Sequence, residues 1–130
     1  MFNRKKHPPI RSLVADNSQI EGNLQFSDGL RVDGSIRGNI LAKADQPSLL
    51  VISETAVITG EIRAEHIIVN GTVKGPVYAE LMLELQPKAR IDGDVHYAAL
   101  EMHQGAIIAG QLLPRDAIEK PVFKLAANNQ

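Results

Sequence analysis

Along most of this chain apolar residues alternate with polar ones, and single glycines punctuate the alternation at regular intervals. Ile67, Val69, Gly71, Val73, Gly75 and Val77 share one face of an extended chain, and Leu81, Leu83 and Leu85 resume the alternation after a break. A period of two belongs to strands, whose successive side chains point to opposite faces. β-Branched residues dominate these positions, as strands favour. The glycines fall on the inward face, where a missing side chain permits a sharp bend at a crowded corner.

The punctuation is a repeat. A unit of branched aliphatic, any residue, Gly, any residue, aliphatic occurs as Ile20-Glu21-Gly22-Asn23-Leu24, Ile36-Arg37-Gly38-Asn39-Ile40 and Ile58-Thr59-Gly60-Glu61-Ile62. It recurs as Val73-Lys74-Gly75-Pro76-Val77, Ile91-Asp92-Gly93-Asp94-Val95 and Ile108-Ala109-Gly110-Gln111-Leu112. Successive glycines are 16, 22, 15, 18 and 17 residues apart. The long interval holds Ala42-Lys43-Ala44-Asp45-Gln46-Pro47, which reads as a loop insertion. Val32-Asp33-Gly34-Ser35-Ile36-Arg37-Gly38 and Val69-Asn70-Gly71-Thr72-Val73-Lys74-Gly75 match nearly position for position, two periods apart. Hairpins in a meander also use Asp-Gly and Asn-Gly turns. Here the alternation passes straight through the glycines without the polar break of a reversal, which favours a coil. About 17–18 residues make three short strands, the turn of a parallel β-helix. About six turns occupy residues 16–113, leaving residues 1–15 and 114–130 as flexible, disordered tails.

One such turn cannot stand alone. About five inward aliphatics gain on the order of 10 kcal/mol, and ordering the turn costs as much or more. Stability must come from stacking, and stacking leaves the first and last coils with unpaired backbone edges. Monomeric solenoids cap such ends. The Pro-rich start and the short segment after Pro114, interrupted by Pro121, offer no credible cap. Uncapped ends favour addition of another copy, hence a filament.

Charge divides the chain further. The net charge of −1 conceals +4 in residues 1–14, −6 in residues 15–113 and +1 in residues 114–130. A basic arm on an acidic body is a two-part molecule. Near an anionic leaflet Arg4, Lys5, Lys6 and Arg11 contribute roughly 1 kcal/mol each, and Phe2 adds an apolar wedge. One copy binds marginally, whereas many copies in a polymer bind by avidity. The two prolines after the basic start argue against a secretory signal, and no apolar run approaches the roughly 20 residues of a membrane helix.

Chemistry is sparse. With no cysteine, disulfides and thiolate metal sites are excluded. His7, His66, His96 and His103 are the only histidines. His66 and His96 are the one pair that stacking of coils could bring together, and a metal site needs a third ligand that the sequence does not place. Asp92 with Asp94, and Glu80 with Glu84, read as solvated acidic faces. The glycines stand singly between aliphatics, so no phosphate-binding loop is present. An acidic body with 4% aromatic residues does not suit nucleic acid. No catalytic, cofactor-binding or metal residue is expected.

These features together resemble a family. The Met1-Phe2-Asn3-Arg4-Lys5-Lys6 start, the Ile20–Leu24 unit, the paired segments at 32–38 and 69–75 and the closing Ile108–Leu112 unit are similar to bactofilins over nearly the whole chain. The resemblance implies a right-handed triangular β-helix of about six turns. It implies nucleotide-free, non-polar filaments joined by like-end contacts between terminal turns. It also implies membrane targeting by Phe2, Arg4, Lys5 and Lys6 to the inner face of the cytoplasmic membrane, and cell-wall, cell-shape or polarity proteins as partners. Family members often carry an aromatic in the last turn that polymerisation needs. Here Leu112 and Leu113 stand there instead, and Phe123 lies beyond Pro114. The expected contacts are therefore Leu112 and Leu113 at one end and Leu24, Phe26 and Leu30 at the other. Two competing classes are a hexapeptide-repeat left-handed β-helix acyltransferase and a non-polymeric β-helix adaptor. The four-residue spacing of Gly34/Gly38 and Gly71/Gly75 breaks the six-residue rhythm that the acyltransferase requires.

Overall fold

A computed structural model describes residues 7–115. Phe2, Arg4, Lys5, Lys6 and Phe123, named above as candidates, lie outside the described residues.

Among the described residues, sixteen strands wind into six stacked coils with three faces. Coil 1 is β1 (Ile10–Val14), β2 (Gln19–Glu21) and β3 (Leu24–Phe26). Coil 2 is β4 (Asp28–Val32), β5 (Ser35–Arg37) and β6 (Ile40–Ala42). Coil 3 starts with β7 (Ser48–Ile52) and β8 (Val57–Thr59) and closes with the first half of β9 (Ile62–Val69). The second half of β9 opens coil 4, followed by β10 (Thr72–Lys74) and the start of β11 (Val77–Leu85). The rest of β11 opens coil 5, followed by β12 (Arg90–Asp92) and β13 (Val95–Tyr97). Coil 6 is β14 (Leu100–Met102), β15 (Ile107–Ala109) and β16 (Leu112–Pro114).

All pairing between coils is parallel, and the register is continuous apart from shifts between Ile10 and Ser12 in β1 and between Ala79 and Met82 in β11. Face A stacks β1, β4, β7, the second halves of β9 and β11, and β14. Face B stacks β2, β5, β8, β10, β12 and β15. Face C stacks β3, β6, the first halves of β9 and β11, β13 and β16. Of the insertion expected at 42–47, Ala42 ends β6 and residues 43–47 form the loop to β7, with Asp45 at φ 63°.

Alternation delivers the core. In coil 4 Ile67, Val69, Val73, Val77 and Ala79 are all fully buried, the expected five inward residues. Parallel register then repeats each inward position up the stack, as in the column Ile36, Ile58, Val73 and Ile91.

The corner between faces B and C explains the glycine period. Gly22, Gly38, Gly60, Gly75, Gly93 and Gly110 stack in one column. Gly60 has φ +151°, and a Cβ there would lie 2.1 Å from the Gly38 carbonyl oxygen. No other residue fits that approach. Beside the column, side-chain carbonyls complete the backbone pairing. Asn23 Oδ1 accepts from the Asn39 amide at 2.9 Å, Asn39 Oδ1 from the Glu61 amide at 3.0 Å, and Asp94 Oδ1 from the Gln111 amide at 3.0 Å. Pro76, which has no amide to satisfy, occupies the same position above Glu61.

The corner between faces A and B takes two forms. Coils 1, 3, 5 and 6 use a hydrogen-bonded turn, such as Ala56 N donating to Ser53 O at 2.9 Å. Coils 2 and 4 use Asp33-Gly34 and Asn70-Gly71, so wide and tight corners alternate from coil 1 to coil 5 and coil 6 repeats the wide form. At the tight corner the Arg31 guanidinium donates to Asp33 at 2.8 Å. The Ser53 hydroxyl donates to the same carboxylate. These two hydrogen bonds, aided by the Arg31 charge, hold Asp33 below the ordinary carboxylate range.

The coil begins earlier than the residue-16 boundary expected from sequence. Residues 10–14, assigned there to the basic arm, form β1 and pair with β4. The strand is disguised: Arg11 is exposed, Ser12 holds an inward position opposite Leu30, and the register is irregular between Ile10 and Ser12.

Candidate polymerisation ends

Each end of the stack presents three strands paired on one side only. Among the described residues, β1, β2 and β3 pair solely with coil 2, and β14, β15 and β16 solely with coil 5. Their outer amides and carbonyls point along the solenoid axis. Such an edge is a template for another strand.

Inward side chains at the C-terminal end are open to solvent. Leu112 continues the column of Val77 and Val95, both fully buried, yet is 45% exposed. Met102 continues the column of Val69 and Leu85, also fully buried, and is 44% exposed. Leu100 and Ile108 complete this apolar end and are half-buried. Covering Leu112 and Met102 with another copy is worth roughly 1 kcal/mol each, about half the value of burying a whole side chain.

The N-terminal end is better closed. Phe26 is 8% exposed and Val14 9%, because the Phe26 ring fills the axis where smaller residues serve inside the stack; its counterpart in coil 2 is Ala42. Ile20 and Leu24 are half-buried beside them. Gly22 ends the glycine column with nothing within 4 Å of a Cβ built on it.

The expected contact residues therefore separate. Leu24, Phe26 and Leu112 lie on terminal coils and face the axis. Leu113 is on coil 6 but faces outward. It ends the outer column of face C, where the Arg63 guanidinium lies 4.2 Å from the Tyr78 ring centre and Tyr78 stacks on His96 at 4.3 Å. Leu30 is a correction. It lies in coil 2 between β1 and β7, 2% exposed, because β1 supplies the coil beneath it. Sequence reasoning missed Met102, Ile20 and the half-buried, inward-facing Tyr97 of coil 5. The register of 17 residues from Leu85 would have found Met102.

The flank carries two further features. His66 and His96 do not meet, since His66 is on face A and His96 on face C. Instead His103 Nε2 lies 3.3 Å from the Oε2 atoms of both Glu84 and Glu101. Together they are the one trio of potential metal ligands among the described residues, within 4.8 Å of one another. Mutual hydrogen bonding accounts for this open cluster, to which Gln86 also donates. The second feature is the path of residues 7–9. His7 packs edge-on against His66, ring centres 5.0 Å apart, so His7 lies on the side of the solenoid at coil 4. Among the described residues no helix is long and apolar enough to cross a membrane.

Comparison with known proteins agrees with this geometry. The family model "Bactofilin: Polymer-forming cytoskeletal" matches residues 12–113. Bactofilin BacO of Myxococcus xanthus is 22% identical over 111 residues, covering 85% of each chain. A cryo-EM reconstruction of Thermus thermophilus bactofilin double helical filaments matches with a TM-score of 0.63 at 26% identity, over 77% of this chain and 97% of that one. Six parallel coils with open terminal strands, on a sequence matched over most of its length by that cytoskeletal family, make this chain a member of the bactofilins.

Proposed function

We propose that this protein is a cytoskeletal scaffold that assembles end to end, without nucleotide, into non-polar filaments on the inner face of the cytoplasmic membrane. The observation that carries the reading is the pair of open ends, each with three strands paired on one side only and, at the C-terminal end, exposed inward residues as well. A second copy completes the ladders of β14, β15 and β16, covers Leu112 and Met102, and needs no cofactor to do so. Like-end contact is supported by the chemistry of the ends: each is apolar at its centre and can meet its own image through an isologous interface. The Thermus thermophilus relative, reconstructed as double helical filaments, supports the filament part of this reading.

The absence of cysteine makes the test clean. Single cysteines introduced along β14–β16 give disulfide-linked dimers under mild oxidation if C-terminal ends meet each other. A head-to-tail filament gives none. Negative-stain microscopy of the purified chain shows filaments; discrete closed particles at all concentrations refute the cytoskeletal reading.

Membrane attachment rests on Phe2, Arg4, Lys5 and Lys6. His7, from which the arm departs, sits on face A against His66 in coil 4, and every copy in a polymer carries such an arm. Cosedimentation with anionic vesicles tests this, with filaments binding more tightly than short species. Cell-wall, cell-shape or polarity proteins are the proposed clients of the exposed faces.

A further inference from the structure

Face B carries charge that the fold does not use. Each of its strands has three residues, the middle one inward and the two flanking ones outward. Two outward columns therefore run up the face. The second holds Glu21, Arg37, Thr59, Lys74, Asp92 and Ala109, from coil 1 to coil 6. Arg90 adds a cation from the first column. Elsewhere Arg11, Arg31, Arg63 and Lys88 each reach a carboxylate. Among the described residues Arg37, Lys74 and Arg90 reach none. Three cations against two carboxylates leave face B positive, although residues 15–113 carry −6.

Between the two columns lies a groove of about 460 Å³ that runs from Gln19 and Glu21 in coil 1 to Lys74 in coil 4. Arg37 and Lys74 stand on one wall with Thr59 between them, and Ser35 and Val57 stand on the other. Val57 is 37% exposed, an apolar contact open to a ligand. Two strand spacings separate Arg37 from Lys74, about 10 Å. That distance selects the backbone of an occupant. In a β-strand, residues two apart rise only about 7 Å, and residues three apart, at about 10 Å, point to opposite faces. A polyproline II helix brings every third residue back to the same side after about 9 Å. Glu21 and Asp92 bracket the two cations in the same column. A flat anionic surface laid on face B meets those carboxylates too, whereas a narrow segment seated across coils 2 to 4 meets the cations alone.

We propose that this groove docks an extended, proline-containing segment of a client protein with a carboxylate at every third residue. The segment lies along the solenoid axis, its carboxylates paired with the Arg37 guanidinium and the Lys74 ammonium and its proline rings against Val57. The Ser35 and Thr59 hydroxyls donate to the segment's backbone carbonyls, which a polyproline II helix leaves free. Only the consequence rests on the scaffold reading: a filament repeats the groove once per subunit, so a client with several such segments binds by avidity.

The test titrates the full chain into a fluorescein-labelled peptide of three Glu-Pro-Pro repeats, with anisotropy as the readout. Arg37→Glu/Lys74→Glu is expected to weaken binding about tenfold or more, since two ion pairs give way to repulsion. Lys43→Glu/Lys88→Glu, the same charge change outside the groove, is expected to stay within about twofold of wild type. A peptide of identical composition with its glutamates adjacent is expected to bind about threefold more weakly. Circular-dichroism melts check that each variant is folded. No binding, equal losses in the two double variants, or equal binding of the two peptides overturns the proposal. So does loss of binding to phosphatidylglycerol vesicles by Arg37→Glu/Lys74→Glu with peptide binding unchanged, which makes face B a membrane surface. A Leu112→Arg chain, blocked at the end of the stack, is expected to bind the peptide as wild type does. Peptide binding by a wild type that never forms filaments keeps the groove and removes the scaffold; filaments without peptide binding do the reverse.

Discussion

Replacing Leu112 by Arg separates the end-to-end assembly from every competing use of this fold. Leu112 faces the axis in coil 6 and is 45% exposed because no coil follows. In the isolated subunit the long side chain can reach water, so the fold loses about 1 kcal/mol or less of apolar burial. At a junction the guanidinium enters a closed apolar end without a partner. Leaving a charge there costs several kcal/mol, and the roughly 1 kcal/mol from burying Leu112 is lost as well. Even about 3 kcal/mol raises the concentration needed for assembly more than 100-fold. Leu113→Arg places the same charge one residue later, on the outer column beside His96, where it remains solvated. Sedimentation across a concentration series, with circular-dichroism melts as the check on folding, distinguishes the two. Leu112→Arg should melt near wild type and stay in the supernatant, and Leu113→Arg should pellet. The reverse pattern, or unchanged pelleting by both, refutes this assignment of the end.

Three further substitutions probe the stack. Gly60→Ala drives a Cβ to within 2.1 Å of the Gly38 carbonyl at φ +151° and should cost about 3 kcal/mol or more in urea unfolding; Gly22→Ala, with open space beyond it, should cost only about 1–2 kcal/mol. Equal costs would mean that the close approach is unimportant. Leu30→Ala should destabilise by about 3 kcal/mol as a core truncation while whatever remains folded still assembles; a stable, non-assembling variant would return Leu30 to the interface. Asp33 has its pKa depressed by the hydrogen bonds from Arg31 and Ser53, so its stabilisation is present above the unfolded-state value and disappears as pH falls through the folded-state value. Asp33→Asn should therefore lower the melting temperature at neutral pH, with the gap to wild type closing under strong acid; a gap that does not change with pH removes this ion pair from the account.

The coil was legible because two signals coincide. Period-two alternation fixed which residues face inward, and the glycine column marked one corner of every turn. Both follow from local geometry: a Cβ cannot occupy the position above a neighbouring carbonyl, so the corner leaves its mark on the sequence. β1 was not legible for the opposite reason. Its inward Ser12 and outward Arg11 and Leu13 give no clear alternation, and its basic, proline-led context resembles a tail. That omission moved the expected end of the stack by one strand and turned Leu30 from a core residue into an apparent contact. Leu112 and Leu113 were adjacent and alike in sequence, and only the register against Val95 and His96 tells the axial residue from the lateral one. The packing of His7 against His66 has no periodic signature at all, because it depends on chain meeting the sheet exterior.

The strands β9 and β11 run unbroken through a corner, tying coils 3, 4 and 5 into a continuous piece. Pulled along its length, a string of such units yields where one molecule meets the next, since only there does no covalent chain climb from rung to rung. Every rupture then exposes two fresh surfaces equivalent to those that recruit new subunits. Mechanical breakage would multiply the sites of elongation instead of destroying the polymer.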